Sequence, residues 1–200
     1  MRKALTLVVA LLALTTACDP DDVNVPNETN IDVDTPALRS AKAEAGVEDC
    51  VPGSGRAVDG GLPAVTLPCF GGGPDVDLSS LRGPLIVNLW GYWCKPCRRE
   101  LPILAQFYAD HGDEVGMLGL DYGDTQVEAA MELAARSGVR YPIVADPGGE
   151  LASHEPFTPR MGLPISVFVT ADGHATLVPG EIVSEEELVD LVEEHLGVRL

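Results

Sequence analysis

The sequence predicts an α/β domain, and three observations lead there. Residues 85–90 (Leu-Ile-Val-Asn-Leu-Trp) are a nearly continuous apolar run, of the kind buried on both faces of a parallel strand. Strand-like and helix-like segments alternate behind it. Towards the C-terminus two short apolar runs flank Asp172-Gly173, a hairpin turn signal. With 46% hydrophobic residues in 200, the chain can fill one core of ordinary size.

Taken in order, apolar pieces at 64–67 and 76–78 around Gly71-Gly72-Gly73-Pro74 predict a small hairpin or extended N-terminal piece. That glycine run is no phosphate loop, since neither Lys-Ser/Thr nor a helix follows it. After the 85–90 strand a helix is expected over 95–109, with a kink at Pro102 because its ring removes an N–H. A strand at 115–120, a helix over 125–137 closed by Gly138 and a short strand at 143–145 come next. The hairpin strands are 165–170 and 175–178. The last helix, 185–196, opens with Ser184 and Glu187 in a capping-box relation and stops at Gly197. No internal repeat is visible.

Composition narrows the function classes. Lys and Arg number 13 against 31 Asp and Glu, a formal charge of -18 that sets aside nucleic-acid binding. Five cysteines are too few for a disulfide-packed mini-protein, and four scattered histidines do not make a structural zinc module. The cysteines must act in pairs or singly.

The N-terminus reads as an export address. Arg2 and Lys3 precede an apolar run over residues 4–14, which suits a signal-peptide core and falls short of the roughly 20 residues a bilayer-crossing helix needs. Residues 1–17 are therefore expected to be a signal peptide. Thr15-Thr16-Ala17-Cys18 resembles a bacterial lipobox, which implies that Cys18 becomes the lipidated N-terminus and anchors the chain to the membrane. Parity agrees: with Cys18 acylated, Cys50, Cys69, Cys94 and Cys97 make two pairs, whereas ordinary cleavage after Ala17 gives a secreted protein with one unpaired thiol. Residues 18–49 are rich in Asp, Asn, Pro and Glu and lack an apolar stripe, so the expectation is a disordered acidic tether; residues 50–200 then form the folded domain.

Trp93-Cys94-Lys95-Pro96-Cys97 carries the chemistry. A two-residue spacer across a helix start brings both sulfurs within bridging reach. It also sets Cys94 at the first turn, where free N–H groups and the helix dipole favour a thiolate. Cys94 is the expected nucleophile, with Lys95 adding positive charge, and Cys97 is the resolving thiol. A zinc half-site is the competing reading, but Cys50 and Cys69 have neither the short spacing nor the turns of a second half. Cys50 and Cys69 are expected to form a structural disulfide, with a relay pair as the sharper alternative.

The stretch from Val87 to Pro102 resembles the active-site region of the TlpA/ResA-like branch of the thioredoxin superfamily, and Gly162-Leu163-Pro164 is similar to that family's cis-proline loop. The resemblance spans about residues 62–200. It implies a thioredoxin fold with a mixed central sheet flanked by helices, and a membrane-tethered thiol–disulfide oxidoreductase needing no metal or organic cofactor. Pro164 would be cis and face the cysteine pair, and the Leu163 backbone would pair with an extended substrate segment. Trp93, Lys95 and Pro96 would contact that segment. Asn88 stands where thioredoxin buries an aspartate, so Glu100, three residues after Cys97, becomes the proton-transfer candidate; read without the resemblance, it is a solvated first-turn carboxylate. The implied partners are disulfide-containing exported proteins, apocytochrome c among them, and an integral-membrane thiol donor of the CcdA type. A disulfide oxidant is one alternative. Another is a copper chaperone using His154 or His174 with the cysteine pair, against which the two-residue spacer counts. A peroxiredoxin reading lacks its Thr-x-x-Cys site.

Overall fold

A computed structural model describes residues 31–158 and 161–200; the expected signal peptide, Cys18 and the expected tether up to residue 30 lie outside the described residues. The first element is α1 (Pro36–Ala45), followed by a two-stranded antiparallel hairpin of β1 (Thr66–Leu67) and β2 (Val76–Asp77). The main sheet is built from β3 (Leu85–Trp90), β4 (Gly116–Tyr122), β5 (Ile143–Asp146), β6 (Ile165–Val169) and β7 (Ala175–Pro179). Its order is β5-β4-β3-β6-β7, parallel from β3 to β5 and antiparallel from β3 to β7. Helices α2 (Lys95–His111) and α3 (Val127–Arg136) make the parallel crossovers, and α4 (Glu185–Leu196) closes the chain. This is the thioredoxin-like mixed sheet that the resemblance implies.

Period-two alternation divides the core. On one face Ile86, Trp90, Met117 and Phe168 pack under Leu101, Leu104 and Phe107 of α2, Met131 of α3 and Leu188 of α4. On the other, Val87, Leu89, Leu120 and Val167 meet Leu67, Val76 and Leu78 of the hairpin region with Leu151 and Phe157. All six side chains of β3 are buried, which explains its unbroken apolar run. Gly119 is needed on the helical face: a Cβ there would stand 3.2 Å from both Trp90 Nε1 and the Tyr141 ring.

The expected disordered tether is corrected from residue 31 onward. Thr35 caps α1 by accepting the Leu38 N–H at 3.2 Å, Pro36 occupies the first turn, and Gly46 ends the helix at φ 71°. Val33, Leu38 and Val47 are buried, and α1 lies against α3. The apolar stripe looked absent because the buried face is made of Leu38, small alanines and Lys42, whose ammonium is held by Gly72 O and by the carboxylate of Asp49. The folded unit therefore begins well before Cys50. In α4, Ser184 Oγ accepts the Glu187 N–H at 3.1 Å, while Glu187 Oε2 accepts the Val183 N–H one residue outside the expected box position.

Candidate active site

β3 delivers the chain to the site. Leu89 pairs with Ile165 across β3 and β6, so the end of β3 lies beside Pro164 at the start of β6. The Leu163–Pro164 peptide is cis and Pro164 is buried, and Leu163 packs against the core cluster that holds Cys94 and Cys97. Beyond Trp90 a turn closes with the Cys94 N–H donating to Gly91 O at 3.0 Å.

Cys94 is the N-cap of α2, and its Sγ takes the place of a capping oxygen by accepting the Cys97 N–H at 3.2 Å. The two cysteines are disulfide-bonded with Cα atoms 5.3 Å apart. The first turn contains no acidic residue, and Lys95, Arg98 and Arg99 follow the cap, so local charge and helix dipole act in the same direction on Cys94. Trp93 is half exposed at 51%, Lys95 is exposed and Pro96 is half-buried, so all three reach the surface beside the cysteine pair.

Glu100 is not a solvated carboxylate. It is 1% exposed, with Oε1 accepting from Asn88 Nδ2 at 2.6 Å and Oε2 from the Ile182 N–H at 3.0 Å. Burial raises its pKa to about 7 against the opposing pull of those two donors, placing a titrating carboxyl one helical turn from Cys97. Asn88 cannot carry a proton, but it holds the group that can.

Several residues that position the site escape sequence reading. Buried Asp124 accepts the Tyr92 N–H through Oδ2 at 2.5 Å and the Gln126 N–H through Oδ1 at 2.9 Å, tying the loop before Cys94 to the start of α3. Arg98 lies over the Tyr92 ring at 4.5 Å and donates to Tyr92 O at 2.7 Å. Arg99 pairs with Glu181 beside the Ile182 segment. Only the Asp124–Gln126 turn had a local signal, an Asx residue two before its partner. Asp121, opposite Trp90 in register, is buried with neither oxygen hydrogen-bonded; burial and then the charges of Asp124 and Asp146 push its pKa well above the carboxylate range.

Cys50 and Cys69 are the second disulfide, with Cα atoms 5.8 Å apart. Cys69 bridges Val144 on the outer edge of β5. Among the described residues no group of three or more His, Cys, Asp or Glu side chains could hold a metal ion, so His154 and His174 complete no site with Cys94 and Cys97.

The comparisons with known proteins agree with this geometry. Residues 58–172 match the model of the AhpC/TSA family. The thiol-disulfide oxidoreductase ResA of Bacillus thuringiensis subsp. konkukian is 27% identical over 126 residues, covering 62% of this chain and 68% of that protein. The structure of MTB dsbF superposes with a TM-score of 0.57 at 28% identity, over 66% of this chain and 98% of that one. A secreted Mycobacterium tuberculosis disulfide oxidoreductase homologous to E. coli DsbE gives 0.56 at 25% identity, over 66% and 96%. With its helix-capping cysteine pair and buried carboxyl, the chain belongs to the AhpC/TSA family and is a thioredoxin-fold thiol–disulfide oxidoreductase.

Proposed function

We propose that this oxidoreductase works outside the cytoplasm as a reductase of disulfides in exported proteins, apocytochrome c being one candidate substrate. In the reduced state the Cys94 thiolate attacks a substrate disulfide, forming a mixed disulfide and releasing one substrate thiolate. Cys97 then passes its proton to the Glu100 carboxylate and attacks Cys94 Sγ, so the second substrate sulfur leaves and the Cys94–Cys97 bond forms. The chain is oxidised by two electrons and the substrate reduced by two. A membrane thiol donor of the CcdA type would reverse the step, and a lipid on Cys18 would keep the domain near it.

The observation that carries this reading is the stack of Cys94 at the α2 N-cap, Cys97 behind it and Glu100 buried one turn further along. An ordinary surface glutamate is fully ionised at neutral pH and a poorer match to a thiol. A carboxyl near 7 exchanges protons in both directions there. The extended substrate segment would lie along Leu163, next to an apolar cleft lined by Leu89, Phe157 and Met161, with Trp93, Lys95 and Pro96 on its other side. Two disulfides in a chain of this size support an oxidising compartment.

The reduction potential of the Cys94–Cys97 couple tests the direction. A value near or below about -250 mV supports a reductase, and one near about -120 mV makes the protein an oxidant. Cys94→Ser must abolish reduction of a model protein disulfide; wild-type turnover in that variant removes the nucleophile assignment.

A further inference from the structure

The second disulfide is set up chemically much as the first. Cys69 Sγ accepts the Cys50 backbone N–H at 3.3 Å, and the Lys42 ammonium lies 3.5 Å from the same sulfur. Lys42 is 4% exposed and is held by Gly72 O at 2.7 Å and Asp49 Oδ1 at 2.8 Å, so the charge is fixed in place and Asp49 is its counter-ion. Asp49 is largely exposed and keeps its ion pair only from the solvent side, whereas the sulfur meets the ammonium from within. Gly73 completes the arrangement: a Cβ there would come 3.2 Å from Cys69 Sγ and 3.7 Å from Lys42 Nζ. No comparable donors to Cys50 Sγ occur among the described residues; it lies 3.2 Å from the carbonyl oxygen of Ile143, which disfavours a thiolate.

The pair is thus polarised. We propose that Cys50–Cys69 is a second thiol–disulfide exchange site, opened by an external dithiol that attacks Cys50 Sγ while Cys69 leaves as a thiolate held by Lys42 and the Cys50 N–H. Exposure does not separate the two disulfides, since Cys50 is 3% and Cys94 4% exposed. Cys50 also sits in an irregular segment between exposed Asp49 and Val51, while Cys69 is fixed against β5. The chain's own Cys94–Cys97 pair is not the donor: Cys69, Val144, Leu120 and Leu89 lie in sequence across the sheet, which sets the second disulfide roughly 14 Å from β3. A separate dithiol protein of low potential fits.

In the first step a donor thiolate bonds to Cys50 Sγ, the Cys50–Cys69 bond breaks and Cys69 keeps its electron pair. The donor's second thiolate then attacks its own sulfur in the mixed disulfide, forming the donor disulfide and releasing Cys50. The donor loses two electrons and two protons; one proton ends on Cys50 and the other goes to solvent while Cys69 stays ionised. This site is independent of the proposed role of Cys94 and Cys97.

The test uses the full chain carrying Cys94→Ser and Cys97→Ser, so that one disulfide remains. Dithiothreitol at neutral pH without denaturant should open it, and a glutathione trap read by mass spectrometry should find the mixed disulfide on Cys50 with alkylated Cys69. Lys42→Met should slow the opening about tenfold, and Lys42→Arg should restore most of the rate, as expected for loss and return of a cation beside a leaving thiolate. Capture on Cys69, reduction only in denaturant, or equal rates in Lys42→Met and wild type overturns the proposal. If Lys42→Met does not fold, the trapping result in the Lys42 protein decides.

Discussion

Glu100→Gln isolates the buried carboxyl, and the structure gives the size of its effect. Glu100 titrates near 7 in the folded chain and at an ordinary 4.5 when unfolded, because burial outweighs the Asn88 and Ile182 donors. Between those values the folded state holds a proton that the unfolded state has released, so stability is highest below the unfolded value and falls as pH rises through the folded one. At 1.36 kcal/mol per pH unit the loss from this one group is roughly 3 kcal/mol. Glutamine keeps the shape and has no proton to lose. Asn88 Oδ1 has no hydrogen-bond partner among the described residues, so turning the Asn88 amide lets it accept from the new Gln side chain. Urea unfolding of the oxidised protein, measured from about pH 4 to about pH 8.5, should show wild-type stability falling relative to the variant by roughly 3 kcal/mol. Asp121 contributes in the same sense to both proteins and cancels in the difference. In turnover, the step in which Cys97 resolves the mixed disulfide should accelerate through a midpoint near 7 in wild type and lose that midpoint in Glu100→Gln. Parallel stability curves and an unchanged pH profile would refute the assignment of Glu100 as the proton acceptor.

Other perturbations give separable outcomes. Asp124→Ala removes the buried carboxylate that accepts from the half-buried Tyr92 N–H and the exposed Gln126 N–H, and should cost about 1–3 kcal/mol in all in chemical unfolding while slowing disulfide exchange. Replacing Cys50 and Cys69 together by Ser releases a loop of about 20 residues and should lower unfolding free energy by about 3 kcal/mol in the chain-entropy account. Leu104→Ala empties a fully buried position under the sheet and should cost about 2–5 kcal/mol, read as a lowered urea midpoint. Arg99→Ala breaks an ion pair whose arginine is mostly exposed and screened by water, and should leave the urea midpoint essentially where it is.

What was legible in the sequence follows from the range of the forces involved. The limits of α4 could be read because Ser184 and Gly197 act within one turn of the residues they cap. β3 could be read because burial on both faces leaves an unbroken apolar run. The Cys94–Cys97 pair is likewise local. α1 carried local signals as well, in Thr35-Pro36 and Gly46, but its inward face is small and holds a lysine, so periodicity argued against it. The partners of Lys42 at Asp49, Gly72 and Cys69 come together only when the chain folds. Asp124 and Tyr92 are 32 residues apart, and no pattern of spacing joins them. Glu100 stood on the right helix face in the sequence; its burial, and hence its proton affinity, depends on Asn88 and on Ile182 from a distant segment.

The stretch from Gly60 to Phe70 touches both rims of the sheet. Gly60 O accepts the Ala175 N–H of β7, while Pro68 O and the Phe70 N–H pair with Ala145 and Ile143 of β5. An unpaired sheet edge is a template onto which another strand can zip and start an aggregate. One connecting segment bonds to both rims here, so part of each edge already has its partner.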